Sequence, residues 1–168
     1  MGLPSKLKNF NFFDDANSYV GKCPEVTLPK LNRKTEEYRG GGMNGPVMID
    51  QGMEGLSMEI TTGFIEEIYR GFGTTQISGR QLRWVGAYQD DDTGTVKAVE
   101  VSARGRFTSI DPGSAKAGED AGMKTTIPLT YYRLTVDGRV EIEIDLLNFI
   151  ETIDGVDRLA EQRRAIGV

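Results

Sequence analysis

Hydrophobic and polar positions alternate over much of the chain, and the alternation predicts strands. In "LSMEITT", Leu56, Met58 and Ile60 share one side while Ser57, Glu59 and Thr61 share the other, the period of a strand with one dry face. The same reading makes strands of "NFNFF", "SYV", "EVTL" and "KLNRKTEEY", with "DDAN" a turn between the first two. "GRQLRWVGAYQ" and "TVKAVEVSARGRFTSI" form a long hairpin about "DDDTG", with Leu82, Trp84 and Tyr88 on one face of its first arm. A second hairpin runs from "TTIPLTYYRLTV" through Asp137-Gly138 to "RVEIEIDLL", since Asp-Gly between alternating runs is a strong hairpin signal.

The period changes twice. In "TTGFIEEIYRGFG", Phe64, Ile65, Ile68, Tyr69 and Phe72 recur at helical spacing, which predicts a short helix capped by Thr62 and stopped at Gly73. After "NFIETIDG", which holds a last strand and another Asp-Gly turn, the tail predicts a second short helix, capped at Asp157 and stopped near Gly167. "DPGSAKAGEDAG" is a polar loop. Neither a repeat nor a domain boundary is visible. The fold class is mainly β with one or two short helices, and residues 1–168 are expected to form one domain.

Composition removes several functions. The chain has 168 residues and a net charge of −5, a poor match to a phosphate-gripping groove, which needs excess Lys and Arg. Histidine is absent and Cys23 is the lone cysteine, so neither a Cys/His zinc site nor a Ser-His-Asp or Cys-His machine can be assembled. No cofactor is expected. No apolar run approaches the eighteen residues of a membrane span.

The stretch "YRGGGMNGPVMIDQGMEG" places six glycines in eighteen residues. "GGGMNG" matches Gly-x-Gly-x-x-Gly by letters, but it lacks the strand-to-helix setting that aims amides at a pyrophosphate, and no Lys-Ser/Thr follows it. The remaining reading is a long excursion over about residues 30–50 that goes out, turns at Gly40–Gly45 and returns, with glycines that permit close backbone approach. Glu141, Glu143 and Asp145 alternate with Val140, Ile142 and Ile144 on one strand. They read as a solvated face, as an acidic lining of an aqueous passage, or as catalytic carboxylates, though same-strand neighbours do not face each other across a cleft. Arg104, Arg106, Arg158, Arg163 and Arg164 look like partners for carboxylates of a neighbouring chain. Trp84, Tyr131 and Tyr132 read as core or interface filler. Long strands without proline over residues 31–38 and 95–106 imply open sheet edges that a neighbouring subunit would cover.

"LPKLNRKTEEYRGGGMNGPVMIDQGMEGLSMEI", "VEVSARGRFTSIDPGSAKAGE" and "YYRLTVDGRVEIEIDLLNFIETIDGVDRLAEQRRAIGV" together resemble the major tail tube proteins of contractile-tailed bacteriophages and R-type pyocins, in the same order and over nearly the whole chain. Asp154 stands where that family is expected to carry Asn, and both suit the turn. The resemblance implies a β-sandwich or barrel-like subunit with a flanking helix, part of a virion tail or tailocin and without enzymatic activity, six to a ring, the rings stacked into a hollow tube inside a sheath. It implies sheath, baseplate and tail terminator proteins as partners, a tape measure protein in the lumen, and in a phage DNA that passes through without specific binding. It makes the excursion an inter-subunit arm carrying Lys30, Arg33, Tyr38, Arg39, Gly40, Gly41, Gly42, Met43, Asn44 and Gly45. Candidate lumen acids are Glu141, Glu143 and Asp145, or the Asp90–Asp92 turn. A β-sandwich carbohydrate-binding module, a glycoside-active enzyme and the tube of a secretion-type injection system are the alternatives.

Overall fold

A computed structural model describes residues 2–168. In chain order its elements are β1 (Lys6–Asp14), β2 (Asn17–Ser18), β3 (Glu25–Thr27), β4 (Arg33–Tyr38), β5 (Val47–Met53), β6 (Leu56–Thr62), α1 (Glu66–Arg70), β7 (Arg80–Gln89), β8 (Val96–Gly105), β9 (Ser109–Asp111), β10 (Met123–Val136), β11 (Arg139–Asp145), β12 (Ile150–Ile153), β13 (Val156–Asp157) and α2 (Ala160–Ile166). Eleven strands form one sheet, and β4 and β5 form a separate two-stranded sheet.

The organising element is β10, fourteen residues long. Its first half pairs with β6 on one edge and β9 on the other, and its second half pairs with β11 and β8. The handover falls at Pro128–Thr130, where the register with β8 shifts between Leu129 and Tyr131. Pro128 has no N–H to offer a neighbour, and it sits in the gap between the last β9 pair at Thr126 and the first β8 pair at Leu129. Gly105 ends β8 at this point. A methyl group there would meet the Pro128 carbonyl oxygen at 2.1 Å, so only glycine permits the approach.

One buried cluster draws on both halves. Leu56, Met58 and Ile60 of β6 join Leu82 and Trp84 of β7, Val101 and Ala103 of β8, and Ile127, Leu129 and Tyr132 of β10. The alternation expected for β6 and β7 is realised, and Trp84 and Tyr132 are core residues. Tyr131 faces the other way yet is also buried, roofed by the Arg104 guanidinium 4.4 Å from its ring centroid. Asp137 and Gly138 take left-handed φ of 48° and 83° and close the predicted β10–β11 hairpin.

Three local expectations are corrected. The first helix spans only Glu66–Arg70, is preceded by Ile65 and stops at Gly71. Thr62 belongs to β6 and donates to the Gly63 carbonyl instead of capping. Ile65 and Ile68 are buried, whereas Phe64, Tyr69 and Phe72 are exposed; a helix of little more than one turn has one inward stripe and cannot bury five residues. Residues 95–106 are not an open edge, because β8 is paired with β7 along its length and with β10 from Val99 to Gly105. The long strand left at a margin of the large sheet is β1, which β2 covers only at Phe13 and Asp14. Asp157 accepts from the Leu159 N–H, but the residue that immediately precedes α2 is Leu159.

A buried ion pair ties β1 to β7. Asp14 is fully buried and accepts from Arg80 Nη2 at 2.5 Å and from the Tyr19 hydroxyl at 3.1 Å. Burial lifts the Asp14 carboxyl above its usual 3.8, against the lowering pull of Arg80 and Tyr19. A raised folded-state value means that this group favours the fold most below pH 3.8, a contribution lost as pH rises through the folded value. At neutral pH the charge is held by Arg80. Removing that partner in Arg80→Leu should therefore cost about 3–5 kcal/mol in urea denaturation at pH 7. The loss should shrink in acid, where Asp14 protonates, and Asp14→Asn combined with Arg80→Leu should recover most of it.

Candidate functional site

The excursion read from the sequence is a hairpin, β4 and β5, standing apart from the large sheet. All of β4 and the first five residues of β5 are exposed. Tyr38 pairs with Val47 and Glu36 with Ile49, so one face of the hairpin carries Tyr38, Val47 and Ile49 beside Glu36. These three apolar residues are 53%, 48% and 42% exposed, and Met48, on the other face, is exposed too. Both hairpin edges are unpaired. An isolated two-stranded ribbon is marginal in water, and free strand edges beside an uncovered apolar face are features that proteins commonly cover by pairing or association.

The tip is an ordered turn. The Met43 N–H donates to the Gly40 carbonyl at 3.3 Å and Arg39 Nε reaches the Met43 carbonyl at 3.4 Å. Gly42 has φ of 85°, a conformation that glycine tolerates and other residues adopt with strain. A methyl group on Gly41 would meet nothing within 4 Å. Asn44 and Lys30 are exposed and Gly45 is half-buried. No helix follows the glycines; β5 does, which removes the phosphate-cradle reading.

At the root the hairpin meets the body. Arg33 Nε donates to Asp50 at 2.8 Å, and Arg33 Nη1 donates to Glu151 of β12. Asp50 also accepts from the Gly52 N–H at 2.8 Å. The hydrogen bond to Asp50 comes first among the influences that hold Arg33 firmly protonated, and it also lowers the Asp50 carboxyl below 3.8. Beneath the root lies a cleft of about 500 Å³ lined by Arg33, Asp50, Met53, Asp145, Phe149 and Glu151. Its carboxylates are all engaged: Asp50 and Glu151 with Arg33, and Asp145 with the Leu147 and Asn148 amides. Glu151 and Asp50 escaped the sequence reading. The signal was an acid inside "FIETI", at a position the strand turns inward.

Glu143 and Asp145 lie across from Arg133 and Tyr131 on the outward face of β11, whereas Glu141 falls in the register shift between the Leu134–Ile142 and Thr135–Val140 pairs, and the acids are not alone there. Pairing places Arg133 directly across from both Glu143 and Ser102, and Ser102 across from Arg83. Arg83 bridges to Glu100 at 3.1 Å, and Arg139 lies 3.8 Å from Glu141. The face alternates in sign. In the Asp90–Asp92 turn, Asp90 accepts from the Ser5 hydroxyl, Asp91 pairs with Lys8, and Asp92 accepts from the Leu3 N–H. Arg163, expected to await a neighbouring chain, pairs within its own chain with Asp157 and donates to the Phe149 carbonyl. Cys23 is buried, and burial pushes its thiol up to about 11, which makes it a poor nucleophile.

Comparison with known proteins accounts for this arrangement. The profile of the family described as phage tail tube protein FII matches residues 4–167. The chain belongs to that family. The tail tube protein of Escherichia phage P2 is 46% identical over 172 residues, covering 100% of both chains. The major tail tube protein of Serratia phage KSP20 is 44% identical, covering 92% of this chain and 91% of its own. Among solved structures, a chain of the PVC sheath-tube complex in its extended state has a TM-score of 0.59 at 13% identity, covering 79% of this chain and 91% of that one. A chain from the PVC sheath/tube terminator scores 0.60 at 15% identity, covering 79% and 97%. At such identity these two show a shared fold. This tail tube protein is a structural component of a tail, and the family membership carries that role over the carbohydrate-binding and glycoside-active alternatives.

Helix α2 buries no residue and is fastened to the body of this tail tube protein by Arg163. Arg163 holds the Asp157 carboxyl below 3.8. A lowered folded-state value gives a stabilisation that is complete above pH 3.8 and lost as pH falls through the folded value. Amide-exchange protection of residues 160–166, corrected for intrinsic rates, should therefore drop below pH 3.8 before that of β10. Arg163→Gln should remove the protection at neutral pH and with it the pH dependence.

Proposed function

We propose that this tail tube protein is a single-domain structural subunit of the inner tube of a contractile tail, six copies closing a ring and rings stacking into a hollow tube. The observation that carries the proposal is the β4–β5 hairpin, whose apolar face and two edges find no partner within one chain. A second copy supplies one: strand edges complete each other, and Tyr38, Val47 and Ile49 leave water. The uncovered edge of β1 extends the same logic to the large sheet. The arm runs from Lys30 and Arg33 through Tyr38 to Gly45, and its tip glycines let two backbones meet.

The fold relatives come from a sheath-tube complex and a tube terminator, which supports sheath and terminator proteins as partners here, with a baseplate at the far end of the tube. The tube encloses a tape measure protein and in a phage conducts DNA. The outward face of β7, β8, β10 and β11 lines the lumen, bringing Glu141, Glu143 and Asp145 to the bore. Its interleaved arginines make that bore finely mixed in charge, so a polyanion meets no continuous stripe of either sign. Nothing in this role requires catalysis.

Alanine substitutions separate reach from conformation. Gly41→Ala should leave the monomer's melting temperature unchanged, since nothing lies near that position, yet block tube growth where a neighbour's backbone approaches. Gly42→Ala should cost about 1 kcal/mol from its left-handed φ before any assembly is considered. Sedimentation and electron microscopy across a concentration series decide the matter. The unsubstituted chain should form rings and tubes. A persistent monomer, or full-length tubes from the Gly41→Ala and Gly42→Ala double variant, would overturn the proposal.

A further inference from the structure

Glu151 occupies a position where a carboxylate does not belong. In the β11–β12 pairing it lies directly across from Ile144, a core side chain, so its own side chain points to the inner side of the sheet. It is 4% exposed. A carboxylate there needs a cation, and among the described residues Arg33 is the one cation paired with it, 118 positions away in sequence and on the other side of the arm's root. Arg33 is shared with Asp50 on the opposite strand of the hairpin.

The surrounding backbone is shaped to the same end. The β4–β5 register shifts between Arg33 and Thr35, which twists the hairpin where it leaves the body. Gly52 takes φ of 106° and donates its N–H to Asp50. The Glu54 N–H closes the root on the Asn32 carbonyl at 2.9 Å. Above this joint no residue of β4 is buried.

We infer that Arg33 and Glu151 form a locked joint that fixes the direction in which the arm leaves the body before any neighbour arrives, and that polymerisation depends on it. Glu151 is a positioning residue: it touches no neighbour and acts through Arg33. The inference rests on the tail tube reading for its consequence, but the joint itself is a property of one chain. An arm already aimed at its partner spends no affinity on finding the direction. A freed arm that spent about a tenth of its time in the competent direction would raise the critical concentration for tube growth about tenfold.

The variants behave differently under this inference and under simple destabilisation. Glu151→Met replaces a buried carboxylate with an apolar side chain of similar length, so the body should melt at or above the original temperature while the arm loses its lock. Arg33→Gln strands Glu151 without a cation and should lower the melting temperature as well as free the arm. Arg33→Lys keeps the charge but cannot serve Asp50 and Glu151 with one planar fork, and should fall between. In a Cys23→Ser background, spin labels at Glu37→Cys and Lys97→Cys report arm against body in dilute monomer. The chain with Arg33 and Glu151 intact should give a narrow distance distribution, Glu151→Met and Arg33→Gln broad ones, and tube growth of the unlabelled variants should need about tenfold more protein. A narrow distribution in Glu151→Met, or an unchanged critical concentration alongside a broad one, would overturn the inference. Failure of the unsubstituted chain to polymerise would count against the tube reading instead, and the distance measurement would still judge the joint.

Discussion

A strand has two edges and a fixed supply of backbone donors and acceptors along each. The protein depends on how β10 divides that supply. Fourteen residues are long enough to serve β6 and β9 with one half and β11 and β8 with the other, so the central strands are built on a common spine. The division succeeds because the changeover is protected. Pro128 has no donor to leave stranded, and Gly105 lets the β8 backbone close on the Pro128 carbonyl. The halves of β10 carry their neighbours into one buried cluster, in which Trp84, Ile60, Ile127 and Ile144 meet.

Against that well-satisfied body the arm stands out as deliberate incompleteness. Among the described residues its strands pair only with each other, and the apolar residues beyond Met53 at its root are on show. Its root, by contrast, is closely determined, by Arg33 spanning an exposed and a buried carboxylate and by Asp50 gathering both Arg33 and the Gly52 amide. A surface unsatisfied at its end and fixed at its base suits a subunit whose folding is completed by its neighbours. That combination suits a structural tail tube component.

Charge illustrates the limits of reading one strand at a time. Glu141, Glu143 and Asp145 look like an acidic stripe along β11, but pairing brings β10, β8 and β7 into the same sheet and inserts Arg133, Arg104 and Arg83 into the same face. Asp145 is drawn into the turn that follows it. Arg163 is likewise used at home, by Asp157. Electrostatic character belongs to a face, and a face is assembled from segments far apart in sequence.

Local alternation determined most of the strands, though not "SYV" beyond Ser18 or the break after Gly105, together with the Asp-Gly turns and the existence of an excursion with a glycine tip, because a period of two and a need for positive φ are written in adjacent residues. Resemblance over the chain length supplied the family. The extent of α1 was misread, since helical spacing in "FIEEIYRGF" cannot report that the chain leaves the helix at Gly71 and Phe72 bridges to Phe107. Of the two open edges assigned, residues 31–38 lie at one, in β4, but residues 95–106 lie between β7 and β10 while β1 is left at the margin, because a strand's sequence does not name its neighbours. The lock between Arg33 and Glu151 was invisible for the same reason: the two residues are 118 positions apart. Only the folded sheet, by turning Glu151 inward beside the root of the arm, gives a buried carboxylate the one cation that can hold it.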